Sequence, residues 1–376
     1  MRILVVNTGS SSLKLSVLTP DGDVQSSTAV ERWEGEDDLG RLEGFLGDVG
    51  TIDAVGHRVV HGGDRYDRPS RVTDDLIDYV ASIEHLAPKH NPRAGLAMRM
   101  VGELLPSVPA VACFDTSFHA SLTPAAAAYA LPRAWNERWG LRRYGFHGLS
   151  HAYAVRRGAE IAGAEYADAR IVSCHLGAGA SLAAVRGGVC VDTTMGFTPL
   201  EGLVMTTRSG SVDPGLLLWL LRHGGLDVDG LSDGLQEDGG LRGLSGTSGD
   251  VRDVLAGAES GDEDCRLALS VFNHRLRREI AAMTAAIGGL DVLVMTGGIG
   301  EHAWQVREAV AGSLGFLGVA LDEGTNRRAT QDADISVSEA SARTVVVTAR
   351  EDIEIAAQVR DVVEGGPAGE RNRDGR

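Results

Sequence analysis

The sequence is short of positive charge, lysine and cysteine, and each shortage excludes a class of protein or site. Its 376 residues include 52 acidic side chains and 36 basic ones, so the formal net charge is −16. Binding to the phosphates of nucleic acid requires basic patches, and a general nucleic-acid surface is therefore excluded. Any anionic substrate must instead be bound by local arginine side chains.

Cysteine is scarce, and long apolar runs are missing. The four cysteines contain no C-x-x-C pair, which favours buried thiols over disulfides or zinc ligands. No apolar run is long enough to cross a bilayer, and the N-terminus begins with a strand pattern instead of a signal peptide. We therefore predict a cytoplasmic protein that has no membrane partner.

The sequence contains only two lysines, Lys14 and Lys89, and the rest of the 36 basic side chains are arginine. Each lysine is therefore informative. Lys14 ends the motif N-T-G-S-S-S-L-K, which follows an apolar strand at residues 3–6. The small-residue turn can direct backbone N–H groups at an anion, Lys14 adds a point charge, and Asn7 can orient a hydrated Mg²⁺. This pattern predicts a phosphate cradle, although it lacks P-loop spacing. The alternative is a serine-rich hairpin with a solvated lysine.

Strand and helix signals alternate along the chain, with glycine at the turns, which predicts an α/β fold. Residues 170–185 repeat the strand, Gly/Ser turn and strand pattern of residues 3–18, and this indicates an internal duplication. A third glycine turn at residues 297–301 precedes a helix predicted from Trp304. Three such turns could surround one nucleotide. The length predicts two domains.

The segment G-H-R-V-V-H-G-G places a cation beside an apolar side chain. Strand alternation puts Arg58 and Val60 on the same face. A guanidinium can hold a small carboxylate while valine contacts its alkyl group. The alternative is a strand whose arginine is paired with a core acid.

Two further motifs carry candidate catalytic groups. Asp115 ends an apolar strand, where it would either position an arginine or take part in proton transfer, or else cap a helix. The motif R-R-Y-G-F-H-G-L-S-H contains His147 and His151 at i,i+4 spacing. A zinc site is disfavoured, because Gly148 makes the intervening turn a poor helix and no H-E-x-x-H glutamate is present. We expect His147 to donate a hydrogen bond to a phosphoryl group and Ser150 to cap the following helix.

The remaining charged candidates lie late in the chain. Arg208 sits between hydroxyl residues and a glycine, as is typical of an arginine that meets phosphate oxygens. A solvated loop arginine is the alternative. Glu351 follows an apolar strand and could hold Mg²⁺ from the side opposite Asn7, or it could cap the helix predicted at residues 353–363.

Taken together, these motifs resemble the acetate kinase family from Arg2 to about Val363. The stretches N-T-G-S-S-S-L-K, G-H-R-V-V-H-G-G, R-R-Y-G-F-H-G-L-S-H, D-T-T-M-G-F-T-P-L-E-G and T-G-G-I-G-E occur in the family's order. The resemblance implies a duplicated ribonuclease-H-like, actin-like ATPase fold with two domains flanking a nucleotide cleft. The implied domains are residues 1–119 with about 353–364, and residues 120–352. Residues 365–376 are predicted to be a disordered tail.

By motif, the resemblance also assigns the metal and the acid substrate. Mg²⁺ would be bound by Asn7 and Glu351, with Mn²⁺ as an alternative metal. Arg58 would bind the carboxylate, Val60 would lie near its methyl group, and His90 would complete the substrate site.

The same resemblance assigns the catalytic groups and the nucleotide contacts. Asp115 matches the catalytic aspartate of the family, and His147 and Arg208 match its transition-state stabilisers. ATP or ADP would contact a larger set: Ser10, Ser12, Lys14, His175, Leu176, Gly177, Ala178, Gly179, Asp250, Val251, Arg252, Gly298, Ile299, Gly300, Glu301 and His302.

The implied reaction is reversible phosphoryl transfer from ATP to acetate, which gives acetyl phosphate and ADP by in-line attack. Acetate is already a nucleophile, so a strong general base is unnecessary, and we expect Asp115 to orient Arg58 or Arg208. A homodimer is also implied. The alternatives are a sugar-type kinase and a non-catalytic actin-like nucleotide switch.

Two residues depart from the family pattern. Ala178 stands where the family has asparagine in H-L-G-N-G, which removes an amide that could reach phosphate. Lys89 stands where the family has leucine in A-P-L-H-N-P, near the acyl pocket. Lys89 either extends to solvent or enters the pocket and favours a more polar or doubly charged acid. Propionate is the other short-chain carboxylate that stays an alternative acceptor.

Overall fold

The computed structural model describes residues 1–9, 12–33 and 39–365, which divide into two compact units. The first unit contains Met1–Ala120, Phe146–Tyr153 and the segment from Arg350 onward. The second unit contains Ser121–Gly145 and Ala154–Ala349. Ser10 and the tail beyond residue 365 lie outside the described residues.

Each unit is built on one mixed sheet, and each sheet has six strands within the described ranges. The strands of the first sheet are β1 (Ile3–Thr8), β2 (Ser12–Leu18), β3 (Val24–Glu31), β4 (Ala54–Val59), β5 (Ser70–Arg71) and β6 (Ala110–Phe114). Those of the second are β7 (Arg170–Leu176), β8 (Ala180–Arg186), β9 (Val189–Thr193), β10 (Val292–Thr296), β11 (Ala333–Asp334) and β12 (Arg343–Val346).

Helices fill most of the chain between the strands. They are α1 (Leu39–Val49), α2 (Asp74–Ser82), α3 (Asn91–Leu104), α4 (Pro124–Ala127), α5 (Arg133–Trp139), α6 (Gly148–Ala162), α7 (Pro214–His223), α8 (Val228–Gln236), α9 (Gly240–Ser245), α10 (Val251–Ser260), α11 (Glu263–Ile287), α12 (Gly297–His302), α13 (Trp304–Ala311), α14 (Glu323–Arg328) and α15 (Glu351–Glu364). Among the helices of the described ranges, none is both long and apolar enough to cross a membrane.

The two sheets share one topology. The first has the order β3-β2-β1-β4-β6-β5, and the second has the matching order β9-β8-β7-β10-β12-β11. In both, an antiparallel hairpin leads to parallel pairing with two later strands, and a short antiparallel strand closes the edge. The structure therefore confirms the duplicated α/β architecture predicted from the repeated glycine turns.

The alternation of side chains explains how β1 and β2 are held. Ile3 and Val5 pack towards α15, while Leu4 and Val6 pack into the cluster that includes α1 and α3. Each fully buried aliphatic side chain of this kind contributes about 1.5–3 kcal/mol. In β2 the apolar positions are buried and Lys14 is exposed.

A close helix-to-strand approach brings α15 to the sheet of the first unit. A Cβ at Gly56 of β4 would lie 2.4 Å from the Cγ2 of Ile355 and 2.8 Å from that of Val359, so only glycine fits there. Glu351 begins α15. The same β4 strand carries Arg58, two residues after Gly56.

Candidate active site

The guanidinium of Arg58 organises a charged cluster in the first unit. Its Nε and Nη2 donate to the two carboxylate oxygens of Asp115 at 3.1 and 2.7 Å. Its Nη1 donates to Asn7 Oδ1 at 3.2 Å and lies 3.5 Å from Glu351 Oε2. The side chain of Asp115 is buried, whereas 17% of the Arg58 side chain stays exposed. A guanidinium has five N–H donors, so these contacts leave two for a small ligand.

The electrostatics of the cluster follow from burial and from its composition. Burial acts to lower the pKa of Arg58, but the carboxylates of Asp115 and Glu351 outweigh this effect and raise it. Burial raises the pKa of Asp115, and the paired guanidinium opposes that shift. One guanidinium beside two carboxylates gives the ionised cluster a net negative charge, which favours a nearby cation.

Asn7 and Glu351, the predicted metal ligands, are in direct contact. Asn7 Nδ2 donates to Glu351 Oε2 at 3.2 Å. An amide oxygen and a carboxylate are hard oxygen ligands, which Mg²⁺ prefers, and Mg²⁺ usually keeps several waters besides one or two protein ligands. No cluster of three or more histidine, cysteine or acidic ligands occurs in the part of the chain that the structure describes. The residues present therefore fit a largely hydrated Mg²⁺.

The predicted substrate contacts Val60 and His90 lie beside a side-chain bridge. Val60 is buried, and the next residue, His61, has both backbone polar groups bonded to the side chain of Asn91. Because His90 directly precedes Asn91, the bridge places the two predicted segments side by side. Lys89 is exposed, which agrees with a lysine that extends to solvent.

His147 sits on strained backbone next to Asp115. Its φ is 56°, a left-handed conformation that non-glycine residues seldom adopt and that clusters at functional sites. The next N–H, of Gly148, donates to Asp115 O at 2.9 Å. A Cβ at Gly148 would lie 2.1 Å from that oxygen, so this position requires glycine.

This close approach corrects two sequence-based expectations about the segment. Gly148 was expected to make a poor helix, but it is the first residue of α6, because the contact with Asp115 outweighs its low helix propensity. Ser150 was expected to cap that helix, but it lies inside the first turn and is buried.

The N-terminal turn brings Lys14 opposite Asn7. The two residues are directly paired between β1 and β2, and Gly9 N donates to Ser12 O at 2.7 Å. Ser12 begins β2 and is half-buried, and Lys14 is exposed on the same face of the strand. The predicted cation therefore stands free of the core and next to the candidate metal ligands.

The second unit contains a cavity of about 980 Å³, which is lined by many of the predicted nucleotide contacts. It lies where the turns after β7 and β10 meet the start of α10. The predicted residues in its lining are Gly177, Ala178, Asp250, Val251, Arg252, Gly298, Ile299 and His302. Asp250 caps α10 and pairs with Arg252 at 2.6 Å, and hydrogen bonds from Arg252 lower the pKa of Asp250 to about 2.

In the second unit, five other predicted nucleotide contacts do not line this cavity: His175, Leu176, Gly179, Gly300 and Glu301. Leu176 is fully buried, and the carboxylate of Glu301 accepts the N–H of Ala349 at 3.0 Å.

Several lining residues were not predicted: Thr206, Ser248, Asp253, Leu255, Ala256, Glu259, Ala303, Trp304 and Gln305. Most belong to α10 and α13. Those of α10 lie in residues 224–262, whose content of glycine, aspartate and serine favours loops and short helices around the nucleotide, but no motif marks the individual positions. Thr206 is the exception, since it lies two residues before Arg208 in a segment already singled out.

Arg208 lies in the second unit and is held by uncharged groups. Its Nη1 donates to Pro199 O at 3.0 Å and contacts Met205 Sδ at 3.8 Å. Burial lowers the pKa of Arg208, which nevertheless remains a cation at neutral pH. A half-buried arginine whose hydrogen-bond acceptors are neutral is suited to an incoming anion.

Comparison with known proteins decides the family. The model of the acetokinase family matches residues 41–357. The chain belongs to the acetokinase family. An acetate kinase of Synechococcus sp. (strain JA-2-3B'a(2-13)) is 44% identical over 97% of this chain and 100% of the relative. An acetate kinase of Nostoc punctiforme is 46% identical over 82% of this chain and 76% of the relative.

Solved structures of acetokinase-family members share the fold. Porphyromonas gingivalis acetate kinase has a TM-score of 0.90 and 35% identity, covering 96% of this chain and 99% of its own. A propionate kinase from Francisella tularensis has a TM-score of 0.88 and 32% identity, with the same coverage. The duplicated α/β fold described above is therefore the acetokinase fold.

Proposed function

We propose that the protein catalyses reversible phosphoryl transfer from ATP to acetate, giving acetyl phosphate and ADP. The observation that carries the proposal is the Arg58 cluster, in which a partly exposed guanidinium keeps N–H donors for a small carboxylate. Buried Val60, two residues further on, supplies an apolar side chain for the methyl group. Membership of the acetokinase family supports the same reaction.

In this mechanism Arg58 binds the acetate carboxylate, and Asp115 fixes the plane of the guanidinium. An acetate oxygen attacks the γ-phosphorus in line, and the bond to the β-γ bridging oxygen breaks, so the electron pair leaves with ADP. Asp115 needs to accept no proton, because acetate reacts as the anion. Its two hydrogen bonds to Arg58 fit a positioning role.

His147 and Arg208 are the groups that we assign to the transition state. Charge spreads over the three equatorial oxygens of the transferring group, and cationic or N–H donors stabilise it. Among the described residues, the hydrogen-bond acceptors of Arg208 are neutral, and Glu237 acts on its charge through space. The strained backbone of His147 is consistent with a side chain held in place for function.

The nucleotide is assigned to the cavity of the second unit, and Lys14 and Ser12 of the first unit stay predicted phosphate contacts. Bound Mg²⁺ would neutralise phosphate charge, and Asn7 and Glu351 would hold it with several waters. Asp250 and Arg252 pair at the cavity's edge, where they can meet the nucleoside.

A second candidate is another short-chain carboxylate as acceptor. The similarity to a propionate kinase supports propionate. A more polar acid would require Lys89 to reach the acyl group, whereas its side chain is exposed. Acetate is therefore the acid that the site supports best.

A homodimer is also proposed, on the evidence of an apolar surface in the second unit. Helix α7 exposes Leu216, Leu218, Trp219 and Leu221 by 46, 52, 55 and 36%. A contiguous apolar patch of this kind is typical of a protein–protein interface. A second copy is the partner implied by the family resemblance.

The test of the reaction is hydroxamate trapping of the acyl phosphate with Mg-ATP and four acids: acetate, propionate, butyrate and succinate. We expect acetate to have the highest kcat/KM, and Lys89→Leu to change this ranking little. Turnover of succinate alone, converted to acetate turnover by Lys89→Leu, would show that the protein acts on a different acid. Turnover of none of the four acids would contradict the proposal.

A further inference from the structure

A closed loop at residues 194–202 holds the carbonyl group that binds Arg208. At the end of the loop Gly202 adopts a φ of 106°, and a Cβ there would lie 2.8 Å from Thr194 O. The loop therefore returns to its own start. Between these ends lies Pro199, whose carbonyl accepts the Arg208 Nη1 hydrogen bond at 3.0 Å.

Glu201 ties this loop to two side chains outside it. Its Oε1 accepts from Arg143 Nη2 at 2.7 Å, and its Oε2 accepts from the Tyr129 hydroxyl at 2.8 Å. The side chains of Arg143 and Glu201 are 17 and 37% exposed, so solvent screens this pair less than a fully exposed ion pair.

Arg143 and Tyr129 also bind the first half of the loop. Arg143 Nη1 donates to Thr194 O at 3.2 Å and to Met195 O at 3.0 Å. The Tyr129 hydroxyl accepts the N–H of Phe197 at 2.7 Å. The chain segments before and after Pro199 are thus connected through the carboxylate of Glu201.

The Glu201 carboxylate is closely packed on the side of Gly196 and Tyr129. A Cβ at Gly196 would lie 1.8 Å from Glu201 Oε2 and 2.3 Å from the Tyr129 hydroxyl oxygen. This packing restricts the loop at Gly196, and a shift of the loop would move the Pro199 carbonyl. Because the Pro199 carbonyl accepts a hydrogen bond from Arg208 Nη1, the position of that carbonyl influences where the guanidinium rests.

We propose that Glu201, together with Arg143 and Tyr129, is a positioning residue that sets the place of the Arg208 guanidinium during phosphoryl transfer. The inference rests on the proposed function, because it gives Arg208 its catalytic role. None of the three residues needs to touch the substrate. Each acts through the Pro199 carbonyl.

The first test is a double-mutant cycle between Glu201→Gln and Arg208→Ala. Glutamine keeps the size of the side chain but removes the charge that binds Arg143. In the wild-type background we expect Glu201→Gln to lower kcat about tenfold with the KM for ATP within twofold. In the Arg208→Ala background the same substitution should lower kcat by less than twofold, because the residue through which Glu201 acts is gone. An equal loss in both backgrounds would overturn the inference, and so would no loss in either.

The second test does not depend on turnover. Phenylglyoxal modification of Arg208, followed by peptide mass spectrometry, reports how firmly the guanidinium is held. We expect modification to be several-fold faster in Glu201→Gln and in Tyr129→Phe than in the wild type. Unchanged rates in both variants would overturn the inference even if acetate is phosphorylated. Faster rates in a protein that phosphorylates no acid would contradict only the proposed function.

A matched control is Asp334→Asn. Asp334 pairs with Arg343 at 2.6 Å in the second unit, and the two side chains are 23 and 29% exposed. The substitution removes a similar ion pair that has no contact with the loop. It should leave kcat and the modification rate of Arg208 unchanged. If Asp334→Asn reproduces the effects of Glu201→Gln, they reflect general loosening of the fold and the inference fails.

Discussion

At the scale of single residues, the charged groups of the first unit depend on one another. Arg58 contacts Asp115, Asn7 and Glu351 at the same time, so none of these side chains can move independently. Such mutual contacts pre-organise a site, because the arginine loses little entropy when a carboxylate substrate arrives. The same contacts make substitutions in the cluster non-additive.

His147 provides a test of the transition-state assignment. We predict that His147→Ala and His147→Gly both lower kcat by about 10²-fold or more, with KM values changed only a few-fold. Both variants remove the imidazole, but only glycine relieves the positive φ of 56°. His147→Gly should therefore unfold at a higher temperature than His147→Ala. Steady-state kinetics and thermal denaturation check this. A loss confined to KM would contradict the assignment.

His57 predicts a pH dependence of stability. Both ring nitrogens are buried and have no hydrogen-bond partner among the described residues, and burial lowers the pKa to about 3 from 6.5. Below pH 6.5 the unfolded chain binds a proton that the native protein does not, so the free energy of unfolding falls as the pH drops towards 3. The expected loss between pH 7 and pH 5 is on the order of 2 kcal/mol.

The control for this prediction is His57→Leu, which removes the titrating group and the unpaired nitrogens. His61 and His119 are also buried with lowered pKa values, so both proteins keep some pH dependence. Urea denaturation at pH 5, 6 and 7 gives the free energy of unfolding at each pH. This free energy should change less with pH in His57→Leu than in the wild type. An equal change in the two proteins would show that His57 does not carry the effect.

How far the sequence predicts these residues depends on whether a local pattern contains the answer. Strand alternation placed Arg58 correctly, but it left open whether a substrate or a core acid was its partner. The structure shows that Arg58 pairs with the core acid Asp115. It also shows that the guanidinium keeps further N–H donors for a substrate. The pair is 57 residues apart in sequence, so no local pattern could reveal it.

At the scale of secondary-structure elements, the nucleotide cavity is lined by the turn after β7, by α10 with its cap, and by α12 and the start of α13. Ala178, in the turn after β7, is exposed and lines the cavity, in place of the asparagine of the family motif. We predict that Ala178→Asn lowers the KM for ATP or raises kcat, increasing kcat/KM about tenfold, since a hydrogen bond to a charged group contributes about 1.5–3 kcal/mol.

Ala178→Leu is the control, because leucine has similar bulk but no amide. It should leave kcat/KM for ATP unchanged or lower it. Nucleotide saturation curves for the three proteins check the prediction. An equal gain from leucine and asparagine would assign the effect to packing, and no gain from asparagine would show that the backbone alone holds the phosphates.

Helices and strands were predicted correctly where the sequence pattern was strong. They were missed where tertiary contacts decide at which residue an element begins. The hairpin of β1 and β2 and the helix from Trp304 followed from alternation and from the glycine turn. The start of α6 did not, because Gly148 is selected by its contact with Asp115 and not by helix propensity. Cavity residues such as Glu259 and Gln305 come from separate helices that only the fold brings together.

At the scale of the whole molecule, the repeated topology was the most predictable feature. The sequence contains two copies of one strand, turn and strand pattern, and this repeat predicted two sheets with the same strand order. The surface through which two copies associate was less predictable. The apolar sequence of α7 is typical of a buried helix, and only the structure shows that its side chains are exposed. Leu218 and Trp219 are each more than half exposed.

We predict that this face forms the homodimer. Sedimentation at micromolar concentration should give a dimer for the wild type and a monomer for Leu218→Asp, because burying a charge at the interface is costly. Leu267→Asp is the control, since Leu267 on α11 is 53% exposed and Leu218 is 52% exposed. A monomeric wild type, or dissociation caused equally by both substitutions, would contradict the prediction.

The measurement that tests the central claim most directly is the reverse reaction, in which ATP is formed from acetyl phosphate and Mg-ADP and detected with luciferase. We predict ATP formation by the wild type and a loss of at least about 10²-fold in Arg208→Ala. Calorimetric binding of ADP in the same samples shows whether the nucleotide site is intact. A wild type that binds ADP but forms no ATP would contradict phosphoryl transfer and would leave a non-catalytic nucleotide switch.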